Sequence, residues 1–194
     1  PPEFANIGRS LQGGLPYQPW AAEVVKKTRA ANRPNDPMTH CLPPGIIRLT
    51  VFPLFRKMIQ VPGLLVTLNE QNASYRQIHM DGRPLLEDPN PSWTGYSTAH
   101  WDGDTLVVET TNLNGKTWGS EAGDVFSYAR HVRERFTPVN ATTIAYEATI
   151  TDPDVYTRPW TIRMPLYRDR DPNAQLYEYE CHVYLEDEGK LTRK

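Results

Sequence analysis

The chain is poor in the features that most often reveal a function. Its longest apolar runs, such as PGLLVTL at 62–68, fall far short of the roughly 20 residues that cross a bilayer, so no membrane span is expected. Charge of one sign is missing as well. With 21 Lys and Arg against 23 Asp and Glu the formal net charge is −2, a balance that favours neither nucleic acid nor an anionic surface. No serine sits in GxSxG, no HExxH occurs and no glycine-rich phosphate cradle is present, which sets aside those hydrolase, zinc-protease and nucleotide readings. No cofactor is expected. Heptads and internal repeats are lacking, so the chain is neither a coiled coil nor a solenoid. The opening PPEFANIGRS has no basic segment followed by an apolar one, so an export signal has been removed or never existed. No feature specifies an oligomeric state.

Cysteine is nearly absent. Cys41 and Cys181 lie too far apart for a CxxC redox pair or a zinc ribbon. Three readings stay open: a disulfide, two buried thiols, or a metal site shared with the neighbouring His40 and His182. The third is the weakest, because adjacent residues on a strand point to opposite faces. No metal ligand set is assigned.

What is present points to β structure. Eighteen prolines and ten tyrosines in 194 residues suit a loop-rich, aromatic-packed sheet protein with a single core. The most informative stretch runs over 76–110, where Asp102-Gly103 separates YSTAHW from TLVVETT. A two-residue Asp-Gly loop between β-rich flanks predicts a hairpin with a type I′ turn.

In chain order, residues 1–18 read as an irregular arm broken by Gly13-Gly14 and Pro16. Pro19 opens a short helix that turns Trp20, Val24 and Ala31 inward and ends at Asn32-Arg33-Pro34. An extended wrapping segment follows to residue 62, with strand pieces around IIRLTVF and RKMIQV. Strands are predicted at 64–71, 74–80, 96–101, 104–111, 126–136, 142–151, 159–167 and 175–185. Residues 1–63 thus form the arm, helix and wrapping segment, and 64–194 the β portion. The fold expected is mainly β, an eight-stranded antiparallel up-and-down barrel of lipocalin type, with the arm and one short helix capping a mouth.

Side-chain alternation separates the faces. The apolar sets Ile144, Tyr146, Ala148, Ile150 and Trp160, Ile162, Met164, Leu166 should point inward, as should Tyr177, Tyr179, Cys181, Val183 and Leu185. Phe126, Tyr128, Val132 and Phe136 share a face with Arg130 and Glu134. Buried charge is costly unless paired, hydrogen-bonded or functional. Arg76 lies on the face of Ile78 and Met80. A polar cavity group follows: Glu134, Arg130 and Arg76, joined by His79, His100 or Tyr96. Its plainest reading is a structural ion pair, and its sharper one a general acid–base pair.

In HMDGR, Asp81-Gly82 reads as a turn, and Arg83 can clamp Asp88 or a neighbouring carbonyl. The loop PLLEDPNPSW that follows, with Trp93, would cover the barrel mouth. Asn72-Ala73-Ser74 and Asn140-Ala141-Thr142 match glycosylation sequons.

The ordered series PYQPWA, DP..HCLPPG, QVPG, RQIHMDGRPLLEDPNPSW.GYS, HWDGDTLVVETTN, VRERF and TITDPDVYTRPW resembles a widespread group of exported bacterial proteins abundant in soil bacteria. The resemblance covers roughly residues 16–181. It implies a removed signal peptide, a periplasmic or secreted location and a Cys41–Cys181 bridge, but no reaction. The later half is similar to calycin-like (lipocalin-like) barrels. The chain departs from the group in GSEAGDVFSYARH and in ECHVYLEDEGKLTRK, which implies a substrate of its own if function sits there.

The function expected is a cofactor-free isomerase, cyclase, hydratase or lyase acting on a small apolar or aromatic molecule in the barrel. Glu134, His79, His100 or Asp81 would supply acid and base, and Arg76 or Arg130 would steady a developing oxyanion. Tyr96, Trp93, Arg83, Tyr146 and Trp160 would hold the substrate. A carrier without chemistry and an interaction protein with a filled barrel are the alternatives.

Overall fold

A computed structural model describes residues 2–32, 35–86 and 90–189. The Arg33-Pro34 helix stop and the Asp88 partner for Arg83 lie outside them. Eight strands form one sheet in sequence order: β1 Arg56–Val61, β2 Leu64–Asn69, β3 Tyr75–His79, β4 Tyr96–Asp102, β5 Thr105–Thr111, β6 His131–Asn140, β7 Thr143–Thr151 and β8 Trp160–Tyr167. The expected mainly β, eight-stranded and mostly antiparallel architecture is therefore present. It curls as a half-barrel: among the described residues no pairing joins β1 to β8.

Neighbouring strands are antiparallel except β3 and β4, which run parallel through Ile78–Ser97 and His79–Thr98. Parallel neighbours cannot be joined by a tight hairpin, and the long connection 80–95 supplies the crossover. Gly95 closes it at φ +68°, with space for a Cβ blocked by the Thr111 carbonyl. The β4–β5 hairpin forms one residue later than expected. Asp102 pairs with Thr105, so the loop is Gly103-Asp104, and positive φ at Gly103 alone (+59°) excludes the type I′ turn.

Three segments differ from the sequence reading. IIRLTVF is not a strand piece: α3 covers Gly45–Val51, all buried, with Arg48 held in a two-bond pair to Asp36 at 2.6 and 2.8 Å. RKMIQV is a full strand, β1, so the sheet starts inside the expected wrapping segment. Residues 175–185 are not a strand. They are irregular and then enter α4, Cys181–Asp187, leaving Tyr177 and Val183 exposed. Alternating apolar residues there mimic a strand, but their side chains have no sheet face to enter. Cys41 and Cys181 form a disulfide, which ties α4 to the turn after the 3₁₀ segment Pro37–His40.

The arm contains a helical turn, α1 Pro2–Ala5, and α2 spans Pro19–Ala30. The helix is rotated from expectation: Ala21 and Val25 are buried, while Trp20 and Val24 are exposed. The reason lies in its partners. Gln18 N–H donates to the Val155 carbonyl at 2.7 Å, Trp20 Nε1 donates to the Asp154 carbonyl at 3.0 Å, and Arg29 Nε donates to the Ala122 carbonyl at 2.7 Å. These bonds fix the helix over the β7–β8 connection and the segment around residue 122.

One continuous core unites Ile7, Ile46, Ile47 and Val51 with Leu65, Ile78, Val108, Val132, Tyr146, Ile150 and Ile162 from one face of the sheet. That face is closed by the N-terminal portion. The other carries most of the polar alternates and is largely open to solvent, although Val107 and Thr105 are buried on it.

Candidate functional site

The expected inner polar group exists in part. Glu134, fully buried on β6, accepts from Arg76 Nη2 of β3 at 2.5 Å and from the Tyr146 hydroxyl of β7 at 2.8 Å. Arg76 also donates to Ser97 Oγ at 3.1 Å and to Thr110 Oγ1 at 2.7 Å. Tyr146 is held well above its usual pKa, first by burial and then by the Glu134 charge, so it stays a donor. Arg56 of β1 lies nearby, its Nη2 donating to the Thr50 carbonyl at 2.6 Å. Burial lowers its pKa, against the opposing pull of Tyr146 and Glu134. Every oxygen of Glu134 thus has a partner. The void beside it measures about 30 Å³, room for a water or two but not for a substrate.

The histidines do not join this group. His79 and Tyr96 are half-buried, with ring centroids 5.2 Å apart, and His100 is exposed. All three sit at positions of opposite parity to Arg76 and Ser97 on the same strands. Burial, and then Arg83, lower the pKa of His79 against the pull of Asp81. Asp81 accepts from Arg83 Nη2 at 2.5 Å, and these hydrogen bonds bring its pKa down to about 2. Both groups are exposed in the turn after β3. Trp93 is half-buried in the connection that precedes β4.

Arg130 and Trp160 belong to a second interior cluster. Arg130 stands in the turn before β6, because that strand begins at His131 and not at 126; Tyr128 is consequently exposed. The Arg130 guanidinium lies over the Phe126 ring at 4.0 Å. Trp160 meets Tyr156 edge-on at 5.3 Å.

A roomier site opens largely on the solvent face. A groove of about 440 Å³ runs over β6, β7 and β8, within the size range of small-molecule pockets. Cross-strand register builds it in two rows. Arg135, Glu147 and Arg163 stand opposite one another, and Thr137, Ala145 and Pro165 form the next row. Pro165 is tolerated because β8 is an edge strand and needs no donor on that side. Arg163 Nε donates to Glu147 at 2.7 Å, and Arg135 Nη2 donates to Asp102 at 3.1 Å. These exposed pairs are weak and can exchange partners at little cost. The groove combines a small, apolar floor with two guanidinium groups at its side.

Of the site residues expected from sequence, Tyr146 alone lines the groove, since the search followed the apolar face. The same alternation that buried Glu134 and Tyr146 puts Arg135, Ala145 and Glu147 together on the other side. A register of β6 through β8 would have found them.

Among the described residues, no group of three or more His, Cys, Asp or Glu is placed to hold a metal, and no helix is long and apolar enough to cross a membrane. Comparisons with known proteins give no match to a family model, a curated protein or a solved structure.

Proposed function

We propose that the protein is an exported, non-catalytic binding protein. Its ligand is a small apolar or aromatic molecule bearing a carboxylate, held in the groove over β6–β8. The observation that carries this reading is the contrast in room: about 440 Å³ in the groove against about 30 Å³ beside Glu134. An aromatic body would lie on Ala145 and Pro165, while its carboxylate takes hydrogen bonds from Arg135 or Arg163. The disulfide suits an oxidising compartment, and the resemblance to exported bacterial proteins agrees with a periplasmic or secreted location.

The acid–base reading, with Glu134 as base and Arg76 or Arg130 at an oxyanion, finds less support. Glu134 would have to give up Arg76 and Tyr146 before it could take a proton. Packing also leaves its surroundings too small for a substrate.

Calorimetric titration with naphthoate tests the proposal. Saturable binding is expected in the wild type and its loss in Ala145→Trp, which fills the groove from an exposed position. No saturable heat, or unchanged affinity in Ala145→Trp, would overturn it.

A further inference from the structure

Arg130 is 2% exposed, yet its Nε and Nη2 have no protein partner. Its Nη1 makes one long bond, donating to Thr117 Oγ1 at 3.3 Å. The nearby acid Asp152 is occupied elsewhere, accepting from Ser127 N–H at 2.7 Å and from Ser127 Oγ at 2.6 Å. Among the described residues no carboxylate lies within ion-pair distance of Arg130. The aromatic chain Phe126–Tyr156–Trp160 starts at the ring beneath Arg130, and the indole Nε1 of Trp160 at its other end is also buried without a partner. The Tyr156 hydroxyl is already used, donating to the Val125 carbonyl at 3.0 Å. Two N–H donors on one side of Arg130 are therefore left over, and the Trp160 indole N–H is a further buried donor at the other end of the aromatic chain.

We infer that this cluster is an internal site for a small anion, a carboxylate of formate size or a halide, gripped by the Nε–Nη2 edge of Arg130. Asp152 opposes the burial cost of the Arg130 charge but makes no hydrogen bond to these two nitrogens, and a buried donor left unpaired is costly. A small anion accepts from both at once. The two orphaned nitrogens are those on one edge of the guanidinium, the edge that meets a carboxylate with two parallel hydrogen bonds. Burial brings the Arg130 pKa down to about 10, with Asp152 opposing, so the group is still a cation at neutral pH. The site is separate from the groove: it lies against the segment 117–130, part of which departs from the resembling group.

The test is a titration of the full protein with sodium formate and, separately, sodium chloride, at ionic strength held constant with sodium gluconate. Tryptophan fluorescence and melting temperature are both followed. A saturable change in either is expected, at least about tenfold weaker in Arg130→Met. Tighter binding of formate would identify a carboxylate site, and equal or tighter binding of chloride a halide site. Should Arg130→Met fail to fold, Arg130→Lys keeps the charge and loses the two-pronged edge, so formate should lose any advantage over chloride. No saturable response in the wild type, or an equal response in every variant that folds, would overturn the inference.

Discussion

Glu134→Gln keeps the volume of the side chain and removes its charge. In the folded protein the carboxylate lies 2.5 Å from Arg76 Nη2, with 6% of the Arg76 side chain and none of the Glu134 side chain exposed. The substitution leaves the Arg76 guanidinium buried against the neutral Ser97, Thr110 and amide groups, with no counter-charge in contact. Breaking a buried ion pair from one side costs about 3–5 kcal/mol. The amide oxygen can still accept one hydrogen bond, so the lower end, about 3 kcal/mol, is expected. For a domain of this size that lowers Tm by about 6–12 °C. Urea denaturation with the disulfide intact should show a lower midpoint and an unchanged slope. Removing both charges, in Glu134→Leu with Arg76→Met, should cost less than the sum of the two single changes, because no lone ion is left behind. A loss below about 0.5 kcal/mol in Glu134→Gln would refute the reasoning, since that is the scale of an ordinary surface change.

Three further outcomes are expected. Reducing the Cys41–Cys181 bridge, which spans 140 residues, has a chain-entropy ceiling of about 5 kcal/mol. The observed loss in urea should be nearer about 2–3 kcal/mol, because the mostly exposed residues after β8 can fray once released and recover part of that entropy. Arg83→Gln should raise the pKa of both Asp81 and His79, read by NMR titration, since Arg83 lowers each. Asp81 titrates below its unfolded value, so its contribution to stability is present above the ordinary carboxylate range and is lost as pH falls toward about 2. His79 likewise favours the fold when neutral and loses that contribution as pH falls below the ordinary imidazole range. Gly95→Ala should destabilise by at least about 1–3 kcal/mol, because it adds a Cβ only 2.4 Å from the Thr111 carbonyl at positive φ.

Much of the sheet was legible because its strands alternate cleanly. The alternating sets in β7 and β8 turn inward as read: Tyr146, Ile150, Trp160 and Ile162 are all at or below 3% exposure, and Ile144, Met164 and Leu166 are half-buried against the same core. The same logic put Arg76 and Glu134 on the inner face, and the register brings them together across β4 and β5. Failures came where periodicity had no counterpart in packing. IIRLTVF is a buried run that a helix can use as well as a strand, and its length does not decide between them. The Tyr177–Leu185 alternation has no neighbouring strand to enforce it. Arg130 shares parity with Glu134 but lies before β6 starts, so parity counted through a turn assigned it to the wrong cluster. The groove depends on cross-strand neighbours, which a single strand's pattern does not disclose.

The most direct test of the account is methyl NMR during a titration with naphthoate. The Ala145 and Thr137 methyls report the groove, and those of Ile46, Leu49 and Leu166 report the small void beside Glu134. Saturable shifts at Ala145 and Thr137, with the second set unmoved, are the predicted result. Shifts centred on Ile46, Leu49 and Leu166 would contradict it and return Glu134 to the centre of the function.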